Sequence, residues 1–177
     1  VAICDKCEEI LQKLKDTNKN IAYYTSFDEF IKHDMDAVVL ANYANEHAPF
    51  AIKALEKNIH VLSECTSNGT MAEGVALVRT AEKSKAIYML AENYPYMKFN
   101  QEMRRVYRGG SLGKVLFAEG EYNHPVSAQD KQFTLDYKGY PTHWRNFLPR
   151  SYYITHSLAP LMYITGSHPK RVTALPI

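Results

Sequence analysis

Asp36-Ala37-Val38-Val39-Leu40-Ala41-Asn42-Tyr43-Ala44-Asn45-Glu46-His47 opens the stretch that decides the fold, and Ile59-His60-Val61-Leu62-Ser63-Glu64 closes it. Two short β-rich runs flank a helical segment from His47 to Lys57, which makes a βαβ unit. Such units build parallel sheets with helices on their faces, and ligands sit just past the carboxyl ends of the strands. Asn42, Asn45, Glu64 and Thr66 fall at such ends.

Working outward, Val1–Cys4 and Ile21–Tyr24 read as strands, with an amphipathic helix over Glu8–Leu14 between them. Ser26-Phe27-Asp28-Glu29 and Thr70-Met71-Ala72-Glu73 have the Ser/Thr-x-x-Glu form of capping boxes, and each predicts a helix start. The second helix runs to Ser84, a strand follows over Ile87–Ala91, and another helix covers Phe99–Arg108 until Gly109-Gly110 stops it. This alternation predicts a doubly wound α/β sheet. From Lys114 the character changes: Val115–Tyr122 reads as a longer strand, residues 125–149 as a polar, aromatic-rich stretch, and Leu158–Ile164 as a helix with Pro160 in its first turn. Arg171–Leu175 begins another strand. The reading is a Rossmann-like dinucleotide-binding domain over residues 1–113, then the start of an open-sheet α/β domain over 114–177 that serves substrate binding and oligomerisation.

Composition narrows the function. The net charge of +2 offers no electrostatic argument for nucleic acid or a membrane surface. No apolar run approaches the length of a membrane span, so neither partner is expected. Most of the 13 tyrosines lie from Tyr88 onward, which suggests a polar pocket or an interface. Of the three cysteines, Cys4 and Cys7 form a C-x-x-C, either a redox pair or half a zinc site, against the simpler reading of buried thiols at a strand end and a helix start. No metal set with ligand spacing appears: His124 and His143 stand isolated, and a reducing, cytoplasmic setting fits.

The run His60-Val61-Leu62-Ser63-Glu64 after Ala54-Leu55-Glu56-Lys57-Asn58 resembles the Gfo/Idh/MocA oxidoreductases. Ala91-Glu92-Asn93-Tyr94-x-Tyr96-Met97, Ala118-Glu119-Gly120-Glu121-Tyr122 and Thr155-His156-Ser157-Leu158-Ala159-Pro160 look most like its branch of NAD-dependent α-N-acetylgalactosaminidases. The resemblance implies a two-domain enzyme using NAD, acting on a small sugar or polyol by hydride transfer, and a homo-oligomer. Two departures stand out. The family's G-x-G-x-x-G loop is not in this sequence; its expected place is before Val1, so the chain reads as a fragment. Glu64-Cys65-Thr66 stands where family dehydrogenases have Glu-Lys-Pro, which moves weight toward a glycosidase working by transient oxidation. A non-catalytic sugar- or nucleotide-binding subunit is the third reading.

Asp5, at a strand end, is the candidate for the adenosine ribose, and its charge favours NAD over NADP. Asn42, Asn45 and His47 line the next loop as cofactor candidates, against plain helix capping by Asn45. Glu64 is a candidate for the nicotinamide ribose. Tyr94, His143 and His156 are the catalytic candidates for proton transfer. Tyr140, Trp144, Arg145 and Tyr153 are candidates for substrate contact, Arg through its fork of donors and Trp144 by stacking on a sugar face. For each aromatic and histidine the competing reading is a packed, structural side chain.

Overall fold

A computed structural model of the chain describes residues 1–125, 127 and 133–175, with the side chain of Arg150 outside the description. Two compact units emerge, one of Val1–Leu90 with Tyr137–Tyr140, the other of Ala91–Asp136 with Pro141–Ile177.

In the first unit β1 (Ala2–Cys4), α1 (Glu8–Thr17), β2 (Ala22–Tyr24) and α2 (Phe27–Phe30) precede β3 (Ala37–Leu40), α3 (His47–Glu56), β4 (His60–Ser63), α4 (Met71–Lys83) and β5 (Tyr88–Leu90). All pairings are parallel. The expected single sheet is divided in two among the described residues: β1 pairs β2, and β3–β4–β5 form a separate ladder. Val38, Leu40 and Val61 point inward and are at most 4% exposed, with Ala51, Ala54 and Leu55 of α3 against them at 1% or less. The two alanines carry no bulk beyond Cβ, so the helix packs close to the ladder.

Helix ends follow local chemistry. Asn58 takes the left-handed conformation (φ 58°) just past α3, which short polar side chains tolerate. Its Oδ1 then accepts the Lys85 backbone N–H at 3.0 Å, joining the ends of α3 and α4. The Thr70–Glu73 capping box forms in both directions. The one expected at Ser26 does not, because Glu29 accepts Lys32 Nζ at 2.6 Å and the Ser26 side chain caps nothing.

The second unit holds α5 (Lys98–Arg108), α6 (Ile154–Thr165) and single 3-10 turns at Tyr94–Tyr96, Trp144–Asn146 and Arg150–Tyr153. Several expectations are corrected here. Neither Val115–Tyr122 nor Arg171–Leu175 forms a strand, since no described segment of this unit offers a ladder partner. Gly120 instead lies against α6, where a Cβ would stand 2.5 Å from the Ser157 carbonyl oxygen. The last helix starts at Ile154, earlier than expected, so Pro160 is interior and cannot donate to the His156 carbonyl four residues back. Gly166, at φ 69°, closes the helix through its N–H to Met162 O at 2.8 Å. Part of the stretch 125–149, and the final residues 176–177, lie outside the described residues.

Because the ladder buries one face, Leu55→Ala should cost about 2–5 kcal/mol, whereas Leu62→Ala, on the open face at 38% exposure, should cost less than about 1 kcal/mol. Urea denaturation of the two variants checks the difference.

Candidate functional site

The first unit carries a half-open cavity of ≈ 1020 Å³, lined by β1 and β3 and by Asp5, Lys6, Asn42, Tyr43, Glu46 and Tyr137. Asp5 sits one residue past β1, as strand geometry dictates, and its Oδ1 accepts the Cys7 N–H at 2.7 Å. This turn fixes the carboxylate and leaves its second oxygen for another donor. Asn42 donates from Nδ2 to Glu46 Oε2 at 3.2 Å. The side-chain oxygens of Asn42 and Asn45 are both buried with no hydrogen-bond donor among the described residues. Buried acceptors left without donors cost free energy, and hydroxyl or amide groups of a ligand would satisfy them.

His47 is 1% exposed. Its Nδ1 lies 2.6 Å from Thr66 O and its Nε2 lies 3.1 Å from Asn42 O. The ring therefore ties the loop after β3 to the loop after β4 and is not among the cavity's lining residues. Glu64 is exposed; its Oε2 accepts the Cys65 N–H at 3.3 Å. Of the five cofactor candidates, Asp5 and Asn42 line the cavity. The sequence reading passed over Lys6, Tyr43, Glu46 and Tyr137. Lys6 Nζ bonds Glu46 Oε1 at 2.8 Å and lies 4.3 Å from the Tyr43 ring centre, while Tyr43 Oη accepts the Tyr137 N–H at 2.9 Å. Glu46, one helical turn past Asn42, was the legible signal; nothing in the sequence announces Tyr137, which joins from far along the chain.

The second unit gathers a different set. Nδ1 of His156 faces both oxygens of Glu92, at 2.8 and 2.9 Å. The two side chains are 12% and 8% exposed. A carboxylate only accepts, so Nδ1 carries the proton and the lone pair of the neutral ring is on Nε2. Tyr94 stacks on His156 at 4.5 Å between ring centres, Tyr153 stacks at 4.9 Å, and Tyr122 meets the ring edge-on at 4.6 Å. Burial pushes the Glu92 carboxyl up. The nearby Thr155 hydroxyl opposes this electrostatically, without hydrogen-bond geometry, and so do the His156 ring and the Tyr94 N–H at 3.0 Å. The net result is a carboxyl held below the usual range. Burial, and then the neighbouring Tyr94 and Tyr153 hydroxyls, push the Tyr122 phenol up.

Arg145 donates to Tyr153 Oη at 3.1 Å, and its guanidinium lies 4.2 Å from the Trp144 ring centre. Trp144 is 5% exposed and packed edge-on by Tyr152 at 4.8 Å, so it presents no open face. His143 is also buried; its Nδ1 accepts the Arg145 N–H at 3.2 Å. Burial, then the Arg145 charge, holds its pKa below the ordinary histidine value against the opposing pull of Asp136. Thus Tyr94, Tyr153 and His156 come together, with Arg145 bonded to that group. Tyr140 belongs to the first unit and is exposed. Glu92 and Tyr122 were missed as site residues, although a carboxylate directly after a strand is the same signal that singled out Glu64. Among the described residues no helix is long and apolar enough to cross a membrane.

A family model described as "Oxidoreductase family, NAD-binding Rossmann fold" matches residues 1–92. Glycosyl hydrolase family 109 protein 1 of Shewanella sp. (strain ANA-3) is 28% identical over 170 residues, covering 90% of this chain and 37% of the relative. The alpha-N-acetylgalactosaminidase of Shewanella oneidensis is 27% identical with the same coverage. Among solved structures, the WlbA dehydrogenase from Bordetella pertussis, in complex with NADH and UDP-GlcNAcA, superposes with a TM-score of 0.60 at 22% identity. That superposition covers 64% of this chain and 33% of the other, and it shows a shared fold. The chain spans 37% of the length of the curated relatives it matches.

The Glu92 contacts set a pH dependence. A carboxyl held below its unfolded-state pKa adds stability above the usual carboxylate range, and that stability is lost as pH falls through the depressed native value. The pH dependence of stability at acid pH, followed by circular dichroism, should therefore be flatter in Glu92→Gln than in the parent, with the difference growing as pH rises through the carboxylate range and constant above it.

Proposed function

Because this chain belongs to the oxidoreductase family with an NAD-binding Rossmann fold, we propose that the protein carrying it is an NAD-dependent enzyme acting on a sugar or polyol, with His156 as its proton-transfer group. The observation that carries this reading is the buried Glu92–His156 pair, walled by Tyr94 and Tyr153.

Oxidising a carbinol releases a hydride and a proton. NAD, when bound, supplies the hydride acceptor. The chain's own residues hold the cofactor and manage the proton. Asp5 has a carboxylate oxygen for a ribose hydroxyl, which suits NAD and repels the extra phosphate of NADP. Asn42 Oδ1 and Asn45 Oδ1 are buried acceptors ready for donors of the bound molecule. His47 acts as a positioning residue: its buried ring sits between the two loops, with Nδ1 2.6 Å from Thr66 O and Nε2 3.1 Å from Asn42 O, and its single N–H donates to one of these carbonyls. Nε2 of His156 takes the carbinol proton, and the imidazolium that forms is stabilised by Glu92. The stacked tyrosines keep the ring in one orientation and exclude water from it. Arg145 holds the Tyr153 hydroxyl and has donors for a substrate oxygen.

A second reading is a glycosidase in which the same oxidation is transient and the hydride is returned each cycle. Two features favour it: Cys65 stands where dehydrogenases of this type carry Lys, and the curated relatives are named glycosyl hydrolases. Cytoplasmic placement and a homo-oligomer remain part of the proposal.

The test uses the complete protein. Cofactor released on denaturation, with nitrophenyl glycoside cleavage and no net NADH, favours the glycosidase. NADH rising on free sugars or polyols favours the dehydrogenase. In either case His156→Ala should lower kcat about 10²–10⁴-fold. Glu92→Gln should shift the pH–rate profile of kcat while changing KM little, and an unchanged profile removes Glu92 from this role. Turnover of His156→Ala equal to the parent's would sink the assignment.

A further inference from the structure

Lys6 follows Asp5 directly past the carboxyl end of β1, and both line the cavity of the first unit. Among the described residues that line it, Lys6 is the one lysine or arginine, while Asp5, Asp34, Asp36 and Glu46 are acidic. In a dinucleotide fold this strand end meets the adenosine ribose. A carboxylate there bonds the 2′-hydroxyl, and a nearby cation accommodates a 2′-phosphate. Asp5-Lys6 carries one group of each kind, so the availability of the cation enters the choice of cofactor.

The tertiary structure decides where that cation goes. Glu46, from the turn after β3, takes the Lys6 ammonium: Nζ donates to Oε1 at 2.8 Å. The other carboxylate oxygen accepts Asn42 Nδ2 at 3.2 Å, which fixes the Glu46 side chain. Two rings flank the ammonium, Tyr43 with its centre at 4.3 Å and Tyr137 at 5.6 Å. Electron-rich ring faces hold a cation in place, and the Tyr137 N–H to Tyr43 Oη bond keeps the two residues together. Lys138, 5.5 Å from the centre of the Tyr137 ring, is not among the lining residues. The side chains of Lys6 and Glu46 are 39% and 26% exposed, and ion pairs this open to solvent add little to stability. The consequence of the pair is its effect on charge: the ammonium is neutralised, and the Asp5 carboxylate acts on the ribose position unopposed.

We propose that Glu46 is a specificity-determining residue for the cofactor: by holding the Lys6 ammonium it withholds the cation that a 2′-phosphate needs, and so favours NAD over NADP. The proposal rests on reading the cavity as the dinucleotide site. Asp5 repels the extra phosphate by its own charge, and Glu46 removes the group that would offset that charge. Without Glu46, the flexible four-carbon stem of Lys6 lets its donors turn to a phosphate oxygen.

Equilibrium binding tests it, on the complete protein freed of cofactor and titrated with NADH and with NADPH while nucleotide fluorescence is followed. The parent should bind NADH more tightly. Glu46→Gln keeps an oxygen for Asn42 and drops the charge; it should lower the ratio of the NADPH to the NADH dissociation constant at least about tenfold. Adding Lys6→Gln should take back at least about fivefold of that gain, because the released ammonium is what binds the phosphate. Asp5 stays in every variant, so the change reads Glu46 and Lys6 alone. Thermal unfolding of each variant accompanies the titrations, and Glu46→Ala repeats the test if Glu46→Gln does not fold. A parent selective for NADH whose ratio is unchanged by loss of Glu46 overturns this proposal and leaves the cofactor site standing. An equal gain with and without Lys6 overturns it too. A parent that binds neither dinucleotide overturns the reading of the cavity and this proposal with it.

Discussion

The parallel ladder of β3, β4 and β5 is the constraint on which the first unit depends. Parallel pairing turns every strand in the same direction, so each carboxyl end emerges at one edge of the sheet and each return journey needs a helix. The apolar side of α3 then has one place to go, against Val38, Leu40 and Val61. The polar turns that follow β3 and β4 are left side by side. His47 exploits this: from the first turn of α3 it reaches the backbone of both turns, and its burial leaves the ring no solvent partner to compete with them. The unsatisfied oxygens of Asn42 and Asn45 sit on that braced framework.

The second unit is organised by a buried charge. A carboxylate removed from water needs donors, and Glu92 finds them in the Tyr94 N–H and the His156 ring. Those bonds fix the histidine tautomer, while three tyrosines fix the plane of the ring. Structural and chemical requirements coincide here: the partners that make the burial of Glu92 tolerable also leave Nε2 as the ring's proton acceptor. Arg145 extends the arrangement through the Tyr153 hydroxyl, and Trp144 supports it from a buried position.

Much of the fold was legible because it rests on local rules. The Thr70–Glu73 box, the apolar runs at Val38–Leu40 and Val61–Leu62, and the helix stop at Gly109 each depend on neighbours a few residues away. The Ser26 box failed where a nearby lysine competed for Glu29. The strands expected over Val115–Tyr122 and Arg171–Leu175 failed because alternation is a promise that a distant partner must keep, and none among the described residues does. Tyr94, Tyr153 and His156 were each legible as candidates; that they meet was not.

The sequence by itself determined the α/β class, the order of the elements and the placement of Asp5, Asn42 and Glu64 at strand ends, because period, capping and turn chemistry act over short range. Only the tertiary structure decided that the described strands form two separate ladders, that His47 and Trp144 are buried supports, and that Glu92 pairs with His156 across 64 residues of chain. Such contacts follow from how whole elements pack, and no local pattern specifies which distant side chain will satisfy a buried charge.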